Sequence, residues 1–145
     1  MNASEQARSL EMASKIAAVV NLFKQQFPDA KSDLKPWRND PDTREQVDPD
    51  SIDIGFHLPG WSPRYQGRSM LVQLRFYADP LETSRPLIGI EILAFNHKGV
   101  AWRLSTVQNW EIGGDYLPAQ DVGERLKQFC RQVFEVFRPA EQKSA

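Results

Sequence analysis

Arginine, glutamate and tyrosine side chains alternate with apolar residues in the middle third of the chain, and this pattern could form a binding surface. Arg75 and Tyr77 lie two residues apart in one run, while Glu91 and Arg103 lie in two later runs. Residues two apart in a strand point to the same side of a sheet. We therefore expect Arg75, Tyr77, Glu91 and Arg103 to cluster on one sheet face.

Two interpretations of this cluster remain open. Glu91 can form an ordinary cross-strand ion pair with Arg75 or Arg103 on a solvated face, a contact worth a few tenths to about 1 kcal/mol. Alternatively the face binds a partner, because Leu71, Leu93 and Tyr77 would otherwise leave apolar area in water.

A second candidate surface is the segment 60–68, which reads GWSPRYQGR. Trp61, Arg64 and Tyr65 are of the types that dominate interface hot spots, since each combines a large area with a directional polar group. The alternative is that Trp61 folds back as a lid on the core.

Residues for catalysis or metal binding are few. Cys130 lies in the middle of an apolar helical pattern, where a cysteine usually serves as a small buried hydrophobe. His57 and His97 are far apart and belong to no HxxxH or CxxC pattern, and Gly113-Gly114 lacks the frame of a phosphate-binding loop. We predict no catalytic residue, no metal and no cofactor.

A small-molecule site is the alternative from another functional class. Glu91, Arg75 and His57 could supply polar groups to a pocket between the sheet and a helix. An isolated carboxylate among apolar neighbours can have a raised pKa and act as a general base.

Two amphipathic helices are predicted to position these residues. The first spans residues 5–27, with Asn2 and Glu5 at capping-box spacing and an apolar stripe of Leu10, Ala13, Ala17, Val20, Phe23 and Phe27. The second runs from about Pro118, or from the capping pair Asp121 and Glu124, to Phe137. Its apolar stripe is Val122, Leu126, Phe129, Val133 and Phe137.

Between the helices, alternating hydrophobicity predicts four strands. Ile88, Ile90 and Ile92 should share the buried face of the third strand. A three-residue turn ending in a left-handed Gly99 would then place Trp102 opposite Ala94 and Leu104 opposite Ile92. Gly113-Gly114 is interpreted as a flexible link to the second helix.

The predicted fold is α+β, with a four-stranded antiparallel sheet, the order α-β-β-β-β-α and both helices on one face. Residues 1–138 should form one domain, and 139–145 a frayed tail. Residues 28–50 are acidic, hold four of the ten prolines and should form a long solvated connection.

Composition narrows the functional class. The chain has 18 basic and 19 acidic residues, so it lacks the sequence-wide positive charge that attracts nucleic acid. Stacking of single-stranded bases on Tyr77 and Trp102 is accordingly disfavoured. The sequence has no run of about twenty apolar residues, so we predict no membrane span. The single cysteine favours a reducing compartment, so we expect a soluble cytoplasmic protein.

We therefore predict a non-enzymatic adaptor or chaperone-like assembly factor. It would bind another protein or a peptide segment through the sheet face, a sheet edge or the Trp61 segment, and a homodimer is a further alternative. The run IEILAFNHKGVAWRLSTVQNWEIGGDYLP resembles small cyanobacterial accessory proteins such as carboxysome assembly factors. That resemblance implies an assembly role and assigns no functional residue.

Overall fold

Three helices and six strands are found in the part of the protein that the computed structural model describes, residues 1–37, 51–76 and 87–138. In chain order they are α1 (Ala3–Gln6), α2 (Leu10–Gln26), β1 (Lys31–Asp33), β2 (Ser51–Ser62), β3 (Gly67–Phe76), β4 (Leu87–Asn96), β5 (Gly99–Ser105), β6 (Glu111–Gly114) and α3 (Gln120–Val136). None of the described helices has the length and hydrophobicity needed to cross a membrane.

The strands form one antiparallel sheet in the order β1-β2-β3-β4-β5-β6. The α+β class with an antiparallel, helix-flanked sheet is confirmed, but the predicted number of four strands is wrong. β1 lies within the expected connection and consists of Lys-Ser-Asp, which carries no hydrophobic alternation. β6 contains Gly113 and Gly114, so these two glycines belong to a strand and do not form the predicted flexible link.

Helix α2 begins later than predicted because Ser9 caps it. The Ser9 hydroxyl accepts a hydrogen bond from the Met12 backbone N–H at 3.0 Å, which satisfies a donor of the first helical turn. Leu10 is consequently 85% exposed instead of buried. The buried stripe of α2 is Met12, Ile16, Val19 and Phe23.

Both long helices pack on one face of the sheet, which we call the core face. The Phe23 ring of α2 stacks on Phe56 of β2 with centroids 3.8 Å apart, and meets Phe129 of α3 edge-on at 5.2 Å. Phe137 contacts Phe76 of β3 at 5.3 Å. The predicted stripe of α3 is buried in full: Val122, Leu126, Phe129, Val133 and Phe137.

The predicted pairing of β4 with β5 is confirmed, although by a different turn. Trp102 lies opposite Ala94 and Leu104 opposite Ile92. Asn96 pairs directly with Gly99, so the turn between them has two residues instead of three. Gly99 has a φ of 121°. The register is restored by a β-bulge in β5, in which Ala101 is the extra residue. Trp102 is fully buried, and its Nε1 donates to the Tyr65 carbonyl at 2.8 Å.

Ile88 does not share the core face as predicted. Arg75 pairs with Gly89 and Phe76 with Leu87, which leaves Ile88 as the unpaired residue of a bulge. Ile88 is 51% exposed, and Leu87 is buried in its place.

The two glycines of β6 should respond differently to alanine. A Cβ on Gly114 would lie 2.3 Å from the Ala101 oxygen, and Gly114 has a φ of 151°. No atom lies within 4 Å of the equivalent Cβ position on Gly113. Gly114→Ala should lower the free energy of unfolding by about 2 kcal/mol or more, and Gly113→Ala should change it little, as measured by urea denaturation. Equal stability of the two variants would contradict this packing.

Candidate functional site

Four polar residues form a transverse row on the face of the sheet away from α2 and α3, which we call the second face. Asp53, Gln73, Glu91 and Ser105 are successive cross-strand partners on β2, β3, β4 and β5. Asp53 is 0% exposed, Ser105 3% and Gln73 9%, while the Glu91 side chain is 16% exposed. The expected solvated surface is therefore largely closed at this row.

Asp53 is the most heavily hydrogen-bonded member of the row. Its carboxylate accepts from the Met1 amino nitrogen at 2.8 Å, from Ser51 Oγ at 2.9 Å and from Trp37 Nε1. Asn2 holds Trp37 in place, since its side chain accepts from Trp37 N at 2.9 Å and donates to Trp37 O at 3.0 Å. These donors compensate the charge of a carboxylate that water cannot reach.

The structure joins some of the predicted sheet-face residues. Arg75 Nε donates to Glu91 Oε2 at 2.7 Å, and its Nη2 lies 3.4 Å from Gln73 Oε1. Arg103 is exposed and lies opposite Leu93, two residues before Ser105 on β5. Tyr77 lies outside the described residues.

The residues of the Trp61 segment have separate surroundings. β2 continues to Ser62, so only 63–66 form a turn, and Trp61 is 52% exposed at the strand end. Arg64 forms an ion pair with Asp121, and this hydrogen bond lowers the pKa of the Asp121 carboxyl. The Tyr65 ring packs edge-on against Phe27 at 5.6 Å, so it belongs to the core margin.

The groups considered for chemistry are dispersed. His57 is exposed, and its Nε2 lies 3.1 Å from Asp33 Oδ2. It pairs with Ser69, which lies four residues before Gln73 on β3, so His57 is remote from the row that contains Gln73 and Glu91. Burial raises the pKa of Cys130 to about 12, so its thiol is protonated at neutral pH. Among the described residues, no three His, Cys, Asp or Glu side chains are grouped to hold a metal ion.

Two grooves open on the described surface. The first, which we call the Trp37 cleft, has a volume of about 250 Å³ and lies on the second face. The other, which we call the edge groove, has a volume of about 440 Å³ and separates β6 from the start of α3. The lining of the edge groove includes Glu111, Ile112, Leu117, Pro118, Gly123, Glu124 and Lys127.

The two edges of the sheet differ. On one side, β2 pairs with β1, and its Asp53 backbone N–H donates to the Met1 oxygen at 2.8 Å. Ser4 N also donates to the Leu34 oxygen at 3.0 Å, which ties α1 to the chain after β1. On the other side, no strand within residues 1–37, 51–76 and 87–138 pairs with the outer edge of β6.

Comparison with protein families gives a match over most of the chain. A family profile described as a domain of unknown function matches residues 4–139. No curated protein and no solved structure matches the chain.

Loss of the Asp53 charge should destabilise the protein strongly. Asp53→Asn removes the buried charge that accepts hydrogen bonds from the Met1 amino group, Ser51 and Trp37, so we expect the free energy of unfolding to fall by about 3 kcal/mol. Asp33→Asn, at a partly exposed carboxylate of β1, is the matched control and should cost less than about 1 kcal/mol. Urea denaturation measures both, and an Asp53→Asn protein as stable as the control would disprove the role of Asp53.

Proposed function

We propose that this chain, which belongs to the family of domains of unknown function that matches residues 4–139, is a protein-binding domain. It accepts an extended segment of another polypeptide chain along the outer edge of β6. The observation that carries this proposal is that the outer edge of β6 pairs with no strand of the described residues and has an open groove beside it.

The unpaired edge supplies backbone donors and acceptors. Adding a strand to a sheet edge forms main-chain hydrogen bonds, while pockets beside the edge select alternate side chains of the added strand. The edge groove has such a pocket, with Ile112 and Pro118 half-buried and Leu117 57% exposed.

Further apolar area lies at the same end of the sheet. β5 begins and β6 ends there, and the exposed side chains include Val100, Tyr116 and Leu117. Trp61 is also at this end because β2 ends there. An accumulation of large exposed hydrophobic residues is typical of an interaction surface.

Strand β6 is held firmly enough to act as a template. Ile112 Cδ1 lies 3.0 Å from the position that a Cβ on Gly123 would occupy, so this isoleucine lies directly on the backbone of α3. Gly114 packs still closer to β5, since a Cβ at Gly114 would lie 2.3 Å from the Ala101 oxygen. A pre-positioned edge reduces the conformational entropy that is lost on binding.

Of the three binding surfaces predicted from the sequence, which are the sheet face, a sheet edge and the Trp61 segment, we select the sheet edge. Arg75 and Glu91 contact each other beside a row of buried residues, whereas β6 leaves an edge open. A role in assembly, as implied by the resemblance to carboxysome assembly factors, agrees with an edge that pairs with other chains and stays a prediction.

The Trp37 cleft supports a second candidate function, the binding of a small apolar molecule. Its lining includes Pro36, Trp37, Leu71 and Phe95, with the polar pair Asp33 and His57 at its margin. Trp37 is fixed by its contacts with Asn2 and Asp53, so the aromatic wall is preformed.

The test of this second candidate is a thermal-shift screen with small aromatic compounds. Ser69→Phe should fill the Trp37 cleft and abolish any compound-induced rise in Tm, because Ser69 lines the cleft. Arg68→Phe is the matched control, since the neighbouring residue points to the opposite side of β3. If no compound raises the Tm, or if both variants respond like the wild type, the small-molecule function is wrong.

The edge proposal is tested with a phage-displayed library of random peptides. The full chain is immobilised at low density, and peptides selected on it are measured against Leu117→Lys, which places a charge in the edge groove. We expect at least about tenfold weaker binding, equivalent to roughly 1.4 kcal/mol. Ile88→Lys, at a similarly exposed residue of β4, is the control and should bind like the wild type.

Two results would overturn the edge proposal. One is a library that yields no binding peptide. The other is a set of peptides that bind Leu117→Lys and the wild type equally well.

A further inference from the structure

We infer that the strand accepted by β6 is β6 of a second copy of this chain, arranged antiparallel about a two-fold axis at Ile112. This inference rests on the proposed function and names its partner. The resulting dimer joins two sheets edge to edge, with the helices of both copies on the same side.

The register follows from symmetry. When two identical antiparallel strands pair about a two-fold axis, the residue on the axis lies opposite itself. With Ile112 on the axis, each Ile112 lies beside the other on the core-face side. Glu111 of each copy then lies opposite Gly113 of the other copy.

Charge complementarity on the second face selects this register. Gly113 pairs with Arg103 of β5, and both are exposed. No atom lies within 4 Å of the position that a Cβ on Gly113 would occupy, so a side chain from the next strand can extend over it. Glu111 of one copy can therefore reach Arg103 of the other, since the strands concerned are about 10 Å apart.

The symmetry produces this contact twice. Glu111 and Arg103 form no salt bridge with another residue in the described part of the chain. Each copy thus presents one free carboxylate and one free guanidinium on the same side of the edge. Two such edges are complementary to each other when they pair antiparallel.

The helix side of the edge groove also carries charges of both signs. Glu124 and Lys127 lie about one turn apart on α3 and both line the edge groove. The second copy presents the same two charges on its own side of the two-fold axis.

An axis between Ile112 and Gly113 is excluded by the geometry of the sheet. Residues directly opposite each other in an antiparallel pair point to the same face, whereas Ile112 and Gly113 are neighbours in β6 and point to opposite faces. The axis must therefore pass through a residue. An axis at Glu111 would place the two Glu111 carboxylates opposite each other, which is unfavourable.

The test is a charge-swap experiment on the full chain, read by sedimentation-equilibrium ultracentrifugation. Glu111→Arg and Arg103→Glu each create two like-charge contacts in the dimer, so each should raise the dimer dissociation constant by about tenfold or more. An equimolar mixture of the two variants should form a heterodimer with near wild-type affinity, because opposite charges face each other again. Glu11→Arg and Arg8→Glu, exposed positions near the N-terminus, are the matched controls and should dimerise like the wild type.

The possible outcomes separate this inference from the proposed function. A wild-type protein that remains monomeric at all concentrations overturns the inference, whereas library peptides sensitive to Leu117→Lys would leave the edge function standing. A dimer that is insensitive to both substitutions, or a mixture that fails to recover, overturns the Ile112-centred arrangement. Near-UV circular dichroism of each variant verifies that the fold is retained.

Discussion

The buried carboxylate of Asp53 is the contact on which the arrangement of the sheet depends. It binds the Met1 amino nitrogen, Ser51 and Trp37, which lie far apart in the sequence. Through these contacts the first residues of the chain are held along β2 and the segment after β1 is held against the second face. A buried charge is costly unless its partners are in place, so the contacts of Asp53 form together or not at all.

These contacts make the two edges of the sheet unequal. The sheet ends on one side at the three-residue strand β1, beside which Met1 also binds β2, and on the other side at β6, whose outer edge pairs with no described strand and borders an open groove. Exposed edges favour association, and proteins usually protect them. The short length of β6 and its two glycines disfavour nonspecific pairing with other strands. Ile112 and the edge groove still provide a surface that can bind one specific strand.

Local patterns predicted much of the core. The stripe of α3 and the opposition of Trp102 and Ala94 followed from side-chain periodicity, because the core face is strongly apolar on the four strands β2 to β5. The bulge at Ile88 was not predicted. One extra residue in a strand reverses which side chains point to the core face, and the amino-acid composition gives no sign of it. β1 and β6 were not predicted because their sequences show no alternation of polar and apolar residues. Both form strands because they pair with β2 and β5. Two partners of Asp53, Met1 and Trp37, are distant from it in sequence, and no spacing rule could have identified them.

The blocked side of β2 also limits how far sheets of this kind can grow. A protein with two open edges can add copies at both and extend into a continuous ribbon, as in fibrils. Here β1 has only three residues, begins with Lys31 and ends with Asp33, and is a poor template for a further strand. In the dimer that we propose, β1 forms both outer edges of the joined sheet, so growth would stop at two copies.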